Sequence, residues 1–151
     1  MEKLERIIFV ARSGCCREPM AMGILNDLTL KLDVEILARG LVVSFPEPMN
    51  GKAEAVLISN GITLDNFTSK QLQNDEITEH TLVLTMEKGQ RDKVLSHYEN
   101  ASAEKVHVLT DFVGDELEIL DPYGGSLQSY GLCYETLRKS MKKLVKILNE
   151  E

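Results

Sequence analysis

Arg17 closes a run of small and polar residues, Ala11-Arg12-Ser13-Gly14-Cys15-Cys16-Arg17-Glu18, lying between an apolar, β-branched stretch and Pro19. A strand, a short loop and a helix start in that order make an anion site. Successive backbone N–H groups converge on one point, and the helix dipole favours negative charge there. Arg17 adds a two-pronged guanidinium, the best side-chain match to a phosphate. The same order with one Arg also occurs in proteins that bind no phosphate, and alone it does not decide. Cys15 and Cys16 have no His or Cys neighbours at metal-ligand spacing, so no zinc and no other metal or cofactor is expected. A second stretch, Asp121-Pro122-Tyr123-Gly124-Gly125, is a turn by composition, since Pro fixes φ and the glycines free it. In that plain reading Asp121 caps the turn or the last helix. Tyr123 and Tyr130 are candidates for a pocket wall, and Tyr130 is equally a candidate for the core.

These residues also carry a resemblance. Val10 to Ala21 resembles the phosphate-binding loop of the low-molecular-weight protein tyrosine phosphatases, Val-Cys-x-Gly-Asn-x-Cys-Arg-Ser-Pro, with Cys16, Arg17, Pro19, Met20 and Ala21 fitting. Pro48-Met49-Asn50, Ala53, Leu57 and Gly61 follow the same family's pattern, and Ser69-Lys70-Gln71-Leu72 is similar to its Ser-Arg-Gln-Leu. Asp121-Pro122-Tyr123-Gly124 resembles the loop bearing its general acid, which would make Asp121 the group that protonates the leaving oxygen. The resemblance implies a phosphoric monoester hydrolase ancestry, a phosphate-binding loop over residues 11–18 and a phosphotyrosine protein as a possible ligand. Two departures bear on the chemistry. The family's nucleophilic cysteine falls on Ala11, and the serine that supports its thiolate falls on Glu18. Cys15 and Cys16 do not replace the nucleophile, which must stand six residues before the Arg, where Ala11 is.

Around these motifs the elements alternate. Ile7 to Val10, Val34 to Ala38, Thr81 to Met86 and Val106 to Leu109 read as strands. Helices are expected over 19–31, with Pro19 at its start, over Ala53 to Ser59 with Asn50 as N-cap, over Glu87 to His97, and from Ser126 to Leu148. In the last helix Tyr130, Leu137, Met141, Leu144, Val145 and Leu148 line one side. Residues 39–50 and Asp111 to Leu120 read as loops. Strands alternating with helices imply an α/β fold, a parallel sheet covered on both faces, with its ligand site outside the carboxyl ends of the strands. The resemblance implies strand order 2-1-3-4, a flavodoxin-like arrangement.

At 151 residues, 43% hydrophobic and 27% charged, the chain is expected to be one soluble domain, 1–151. A formal charge of −7 argues against a nucleic-acid partner. The N-terminal apolar run is five residues long, so neither a signal peptide nor a membrane span is expected there. Three cysteines, an odd count without a secretory signal, suggest reduced thiols and a cytoplasmic location. Three functional readings follow. The first is a catalytically impaired phosphatase homologue, a pseudophosphatase, that binds phosphate, sulfate or a phosphorylated partner through loop 11–17. The second is an active tyrosine phosphatase seen as a nucleophile-to-Ala, substrate-trapping variant. The third is a regulatory interaction protein without a ligand. Because Arg12, Ser13, Gly14 and Glu18 also depart from the family pattern, the first is favoured. Glu18 is expected to take the loop's N–H groups for itself.

Overall fold

A computed structural model describes residues 3–150. Four strands, β1 (Arg6–Ala11), β2 (Glu35–Gly40), β3 (Thr81–Thr85) and β4 (Val106–Val108), form one parallel sheet in the order β2-β1-β3-β4. Both the sheet and its order are as expected. The helices are α1 (Arg17–Asp27), α2 (Gly51–Ser59), α3 (Lys88–His97), α4 (Leu109–Val113) and α5 (Leu127–Asn149).

The sheet is buried on both faces because its central strands are apolar over Ile7–Ala11 and Leu82–Leu84. β1 sends Ile7, Phe9 and Ala11 into a core shared with α1, α2 and α5, while Ile8 and Val10 join Val83, Val94 and Val106 on the α3 side. This is the period-two alternation of a strand with apolar residues on both faces. The stripe on α5 faces the first core: Tyr130, Leu137, Met141, Leu144 and Leu148 are buried, with Val145 packed against them. No helix of the described residues is long and apolar enough to cross a membrane.

Some boundaries differ from those read in the sequence. Helix α1 begins at Arg17 and ends at Asp27, so Pro19 is its third residue. The backbone N–H missing there belongs to the first turn, where no intrahelical acceptor exists, so Pro19 costs no hydrogen bond. Strand β2 runs on to Gly40, which pairs with Ala11, instead of stopping at Ala38. Leu109 leaves β4 and opens α4, which takes up the first part of the segment read as loop. Five residues are too few for helical periodicity to register, and Gly114, at φ +83°, ends the turn. A 3-10 turn over Asn74–Glu76 was likewise not foreseen.

Candidate functional site

The loop after β1 folds between strand and helix with few side chains to shape it. Gly14 lies at φ +79°, a left-handed conformation in which glycine pays no steric cost. Behind it stands Gly40. A Cβ on Gly40 would come within 2.6 Å of the Gly14 nitrogen and of the Ser13 carbonyl carbon, so loop and strand meet backbone to backbone. The β2 end is tied in turn to the 69–72 segment: the Gly40 N–H donates to the Lys70 carbonyl and the Leu72 N–H to that of Gly40. Buried Ser69 accepts the Glu47 N–H at its Oγ, and Gln71 accepts the Val43 N–H and donates to the Leu41 carbonyl. The Asn50 N–H donates to the Cys15 carbonyl, while Asn50 Oδ1 caps α2 through the N–H groups of Lys52 and Ala53. The cap is where the sequence put it.

These elements surround a cavity of about 370 Å3 at the carboxyl edge of the sheet. Of the residues singled out in the sequence, Ala11, Arg12, Ser13, Cys15, Cys16, Arg17, Glu18, Asp121 and Tyr123 line it. Tyr130 does not: it is 1% exposed, its hydroxyl meets the Asn50 side chain, and Lys52 Nζ lies 5.9 Å from its ring centre. Its place in the stripe of α5 makes it core. Gly14 contributes an amide and no wall.

Arg17 is 2% exposed and held from three sides. Its Nη1 donates to Glu87 Oε2 at 2.5 Å and to the Ile119 carbonyl at 2.6 Å, and its Nη2 lies 3.8 Å from Asp121 Oδ2. Asp121 also accepts the Tyr123 N–H at 3.0 Å, while Ser126, not Asp121, caps α5. Asp121 thus closes its turn and overhangs the cavity at once. Glu87 was not singled out as a site residue. The available signal was its position directly after β3, at the same sheet edge as the β1 loop. Glu47, Asn50 and Val42 also line the cavity from the β2–α2 connection, which composition marked only as loop.

Glu18 is 1% exposed, and its Oε2 accepts the Gly14 N–H at 2.6 Å. Burial pushes its carboxyl up to about 7, opposed by the N–H groups of Glu18, Gly14 and Cys16 and by the Arg17 charge. The carboxyl therefore takes loop N–H groups, as the sequence suggested. The thiols are poor nucleophiles as they stand. Burial drives Cys16 far above its ordinary value, with Cys133 and Glu18 adding to the effect. Cys15, whose thiol donates to Ser13 Oγ at 3.3 Å, is also raised by burial. All three cysteines are free. Among the described residues no group of three or more His, Cys, Asp or Glu is placed to hold a metal ion.

A buried guanidinium lining one cavity with a short strand-to-helix loop, and an aspartate 3.8 Å from it, suits an oxyanion. Comparison with known proteins agrees in kind: residues 6–151 match the family described as low molecular weight phosphotyrosine protein phosphatase. The chain belongs to that family. Its relatives include a protein-arginine-phosphatase of Geobacillus stearothermophilus, 31% identical over 97% of each chain. Another is the low molecular weight protein-tyrosine-phosphatase PtpB of Staphylococcus haemolyticus, 28% identical over 92% of this chain and 96% of the relative. Among solved structures, the low molecular weight protein tyrosine phosphatase of T. tengcongensis superposes with a TM-score of 0.89 at 31% identity. The match covers 95% of this chain and 99% of that one. The family's relatives thus include proteins named for two different phosphorylated side chains.

Proposed function

We propose that this chain binds phosphate, or a phosphorylated protein side chain, through loop 11–17, and does not hydrolyse it through a phosphocysteine. The observation that carries this reading is the pairing of an intact anion-binding frame with an inert floor. Arg17 is fixed in place at the cavity, the β1 loop lines the cavity with it, and the residue at the end of β1, where the resemblance puts the family's nucleophile, is buried Ala11. Neither Cys15 nor Cys16 supplies a substitute, because a thiol pushed up by burial is not a thiolate near neutral pH. Asp121, which the resemblance would make the general acid, lines the cavity, and without a covalent step it serves binding alone.

The rim bears on which side chain is recognised. Glu47 and Asp121 place carboxylates at the cavity beside exposed Tyr123 and Val42. A phosphoarginine brings both an anionic phosphoryl group and a nitrogen-rich guanidine, and carboxylates at the rim suit the second part. The protein-arginine-phosphatase relative supports the same choice. A phosphotyrosine offers its ring to Tyr123 instead.

Capture of phosphoarginine and phosphotyrosine peptides on native protein and on Arg17→Ala tests the reading. Binding by the native chain, lost in the variant, with no inorganic phosphate released on prolonged incubation, is the expected result. Steady release of phosphate, or equal capture by both proteins, overturns it.

A further inference from the structure

The cavity already holds an anion of the protein's own. Glu18 is buried to 1% exposure on the first turn of α1, and its Oε2 takes the Gly14 N–H at 2.6 Å. The same carboxyl lines the cavity in which Arg17 would meet a ligand. An arriving oxyanion and an ionised Glu18 therefore compete for one set of backbone N–H groups, and at cavity distances they repel each other. The family pattern has a neutral hydroxyl at this place, so the competition is a property of this chain.

We propose that anion binding in this cavity is coupled to uptake of one proton by Glu18. The proton comes from solvent and settles on a Glu18 carboxyl oxygen, so no bond of the anion is made or broken. A dianion brings the proton in; a monoanion that carries its own proton needs none. The site is thereby built for a singly charged phosphoester, or for a doubly charged one at slightly acid pH. This rests on the anion-site reading above.

The surroundings leave Glu18 as the group to titrate. Its own helix contributes Arg17; the loop contributes Arg12, Cys15 and Cys16; the β2–α2 connection contributes Glu47, and the turn before α5 contributes Asp121. The thiols, raised by burial, keep their protons near neutrality. No histidine lines the cavity. Burial places the Glu18 midpoint at about 7, inside an accessible window.

Sulfate is the probe, because it stays a dianion over that window whereas phosphate titrates within it. Calorimetric titration of native protein should show affinity falling about tenfold between pH 6 and pH 8, with close to one proton taken up per sulfate at pH 8. Glu18→Gln should bind with no such slope, at least as tightly as native protein at pH 6, and Glu47→Gln should keep the slope. On the native chain, the Glu18 carboxyl midpoint followed by NMR should move upward when sulfate is added. A flat native profile, a slope that survives Glu18→Gln, or an unmoved Glu18 midpoint with sulfate bound overturns the coupling and leaves the anion site standing. Absence of sulfate binding in every protein at every pH overturns the anion site itself, and the coupling with it.

Discussion

Glu18 sets what the loop can be made to do. Reinstalling a thiol with Ala11→Cys would place it at the end of β1, close to Arg17 and the start of α1, both of which favour a thiolate. An ionised Glu18 opposes this. At about 4 Å, like charges repel by about 1 kcal/mol in water and about 4 at an effective dielectric of 20. Turnover of an aryl phosphate at pH 8 should therefore be poor for Ala11→Cys and higher by several-fold to several-hundred-fold once Glu18→Ser is added. Equal rates would mean that the Glu18 charge does not reach the reacting centre. Stability carries a second signature. The Glu18 carboxyl midpoint is raised by burial to about 7 from an ordinary 4.5, so the folded state holds the proton more tightly than the unfolded chain. That contribution is complete below about pH 4.5 and lost as pH rises to about 7, an amount on the order of 3 kcal/mol. Glu18→Gln should match native protein near pH 4.5 and exceed it by roughly that amount at pH 8 in urea unfolding. A gap that does not change with pH would contradict the assignment. That Glu18 takes loop N–H groups was expected from its place after Arg17, but its near-complete burial could not be read from its type, since a glutamate on the first turn of a helix is ordinarily solvated.

The elements that shape the site are the β1 loop and the end of β2. Gly40→Ala should force the loop backbone away, since its Cβ would lie 2.6 Å from Gly14 N and the Ser13 carbonyl carbon. A cost of about 1–3 kcal/mol in unfolding free energy, together with lost sulfate binding, is expected. Gly89→Ala, in α3 where nothing lies within 4 Å, should be neutral or stabilising by up to about 1 kcal/mol. Similar behaviour in both variants would show that the two backbones do not need their close approach. The long elements were legible in the sequence. β3 lies in a nearly continuous apolar run, and α5 carries its stripe from Tyr130 to Leu148, so period and length identify both. Gly40 falls within the stretch 39–50 read as loop, because a glycine that admits a neighbouring backbone leaves the same trace as one that turns the chain. α4 was missed because its apolar residues are too few to show a period.

At the scale of the whole molecule, a charge of −7 surrounds the cavity proposed above to bind an anion. Long-range repulsion slows the approach of an acidic ligand and favours one whose phosphate is flanked by cations. A phosphopeptide with Lys and Arg neighbours should associate about tenfold faster at low salt than one with Asp and Glu neighbours, as followed by stopped flow. The two rates should converge near 1 M salt, where the screening length is about 3 Å. Persistence of the difference at high salt would place the selectivity in local contacts. The parallel sheet and the edge that carries the site were legible because alternating strands and helices leave few topologies open, while the strand order followed from the family resemblance. The partners of Arg17 were not, because Glu87 and Ile119 reach it from segments 70 and 102 residues away.

The meeting of Gly14 with Gly40 has a thermodynamic consequence. The loop is cast against a strand and does not wait for a ligand to give it form, so an arriving anion orders almost no backbone. The entropy of arranging the amides has been paid once, at folding, and does not recur at each encounter. What remains for the ligand is the loss of its own water and the neutralising of Glu18. On the reading proposed above, a frame that need not be ordered at each encounter gains affinity for its anion by the ordering cost it spares.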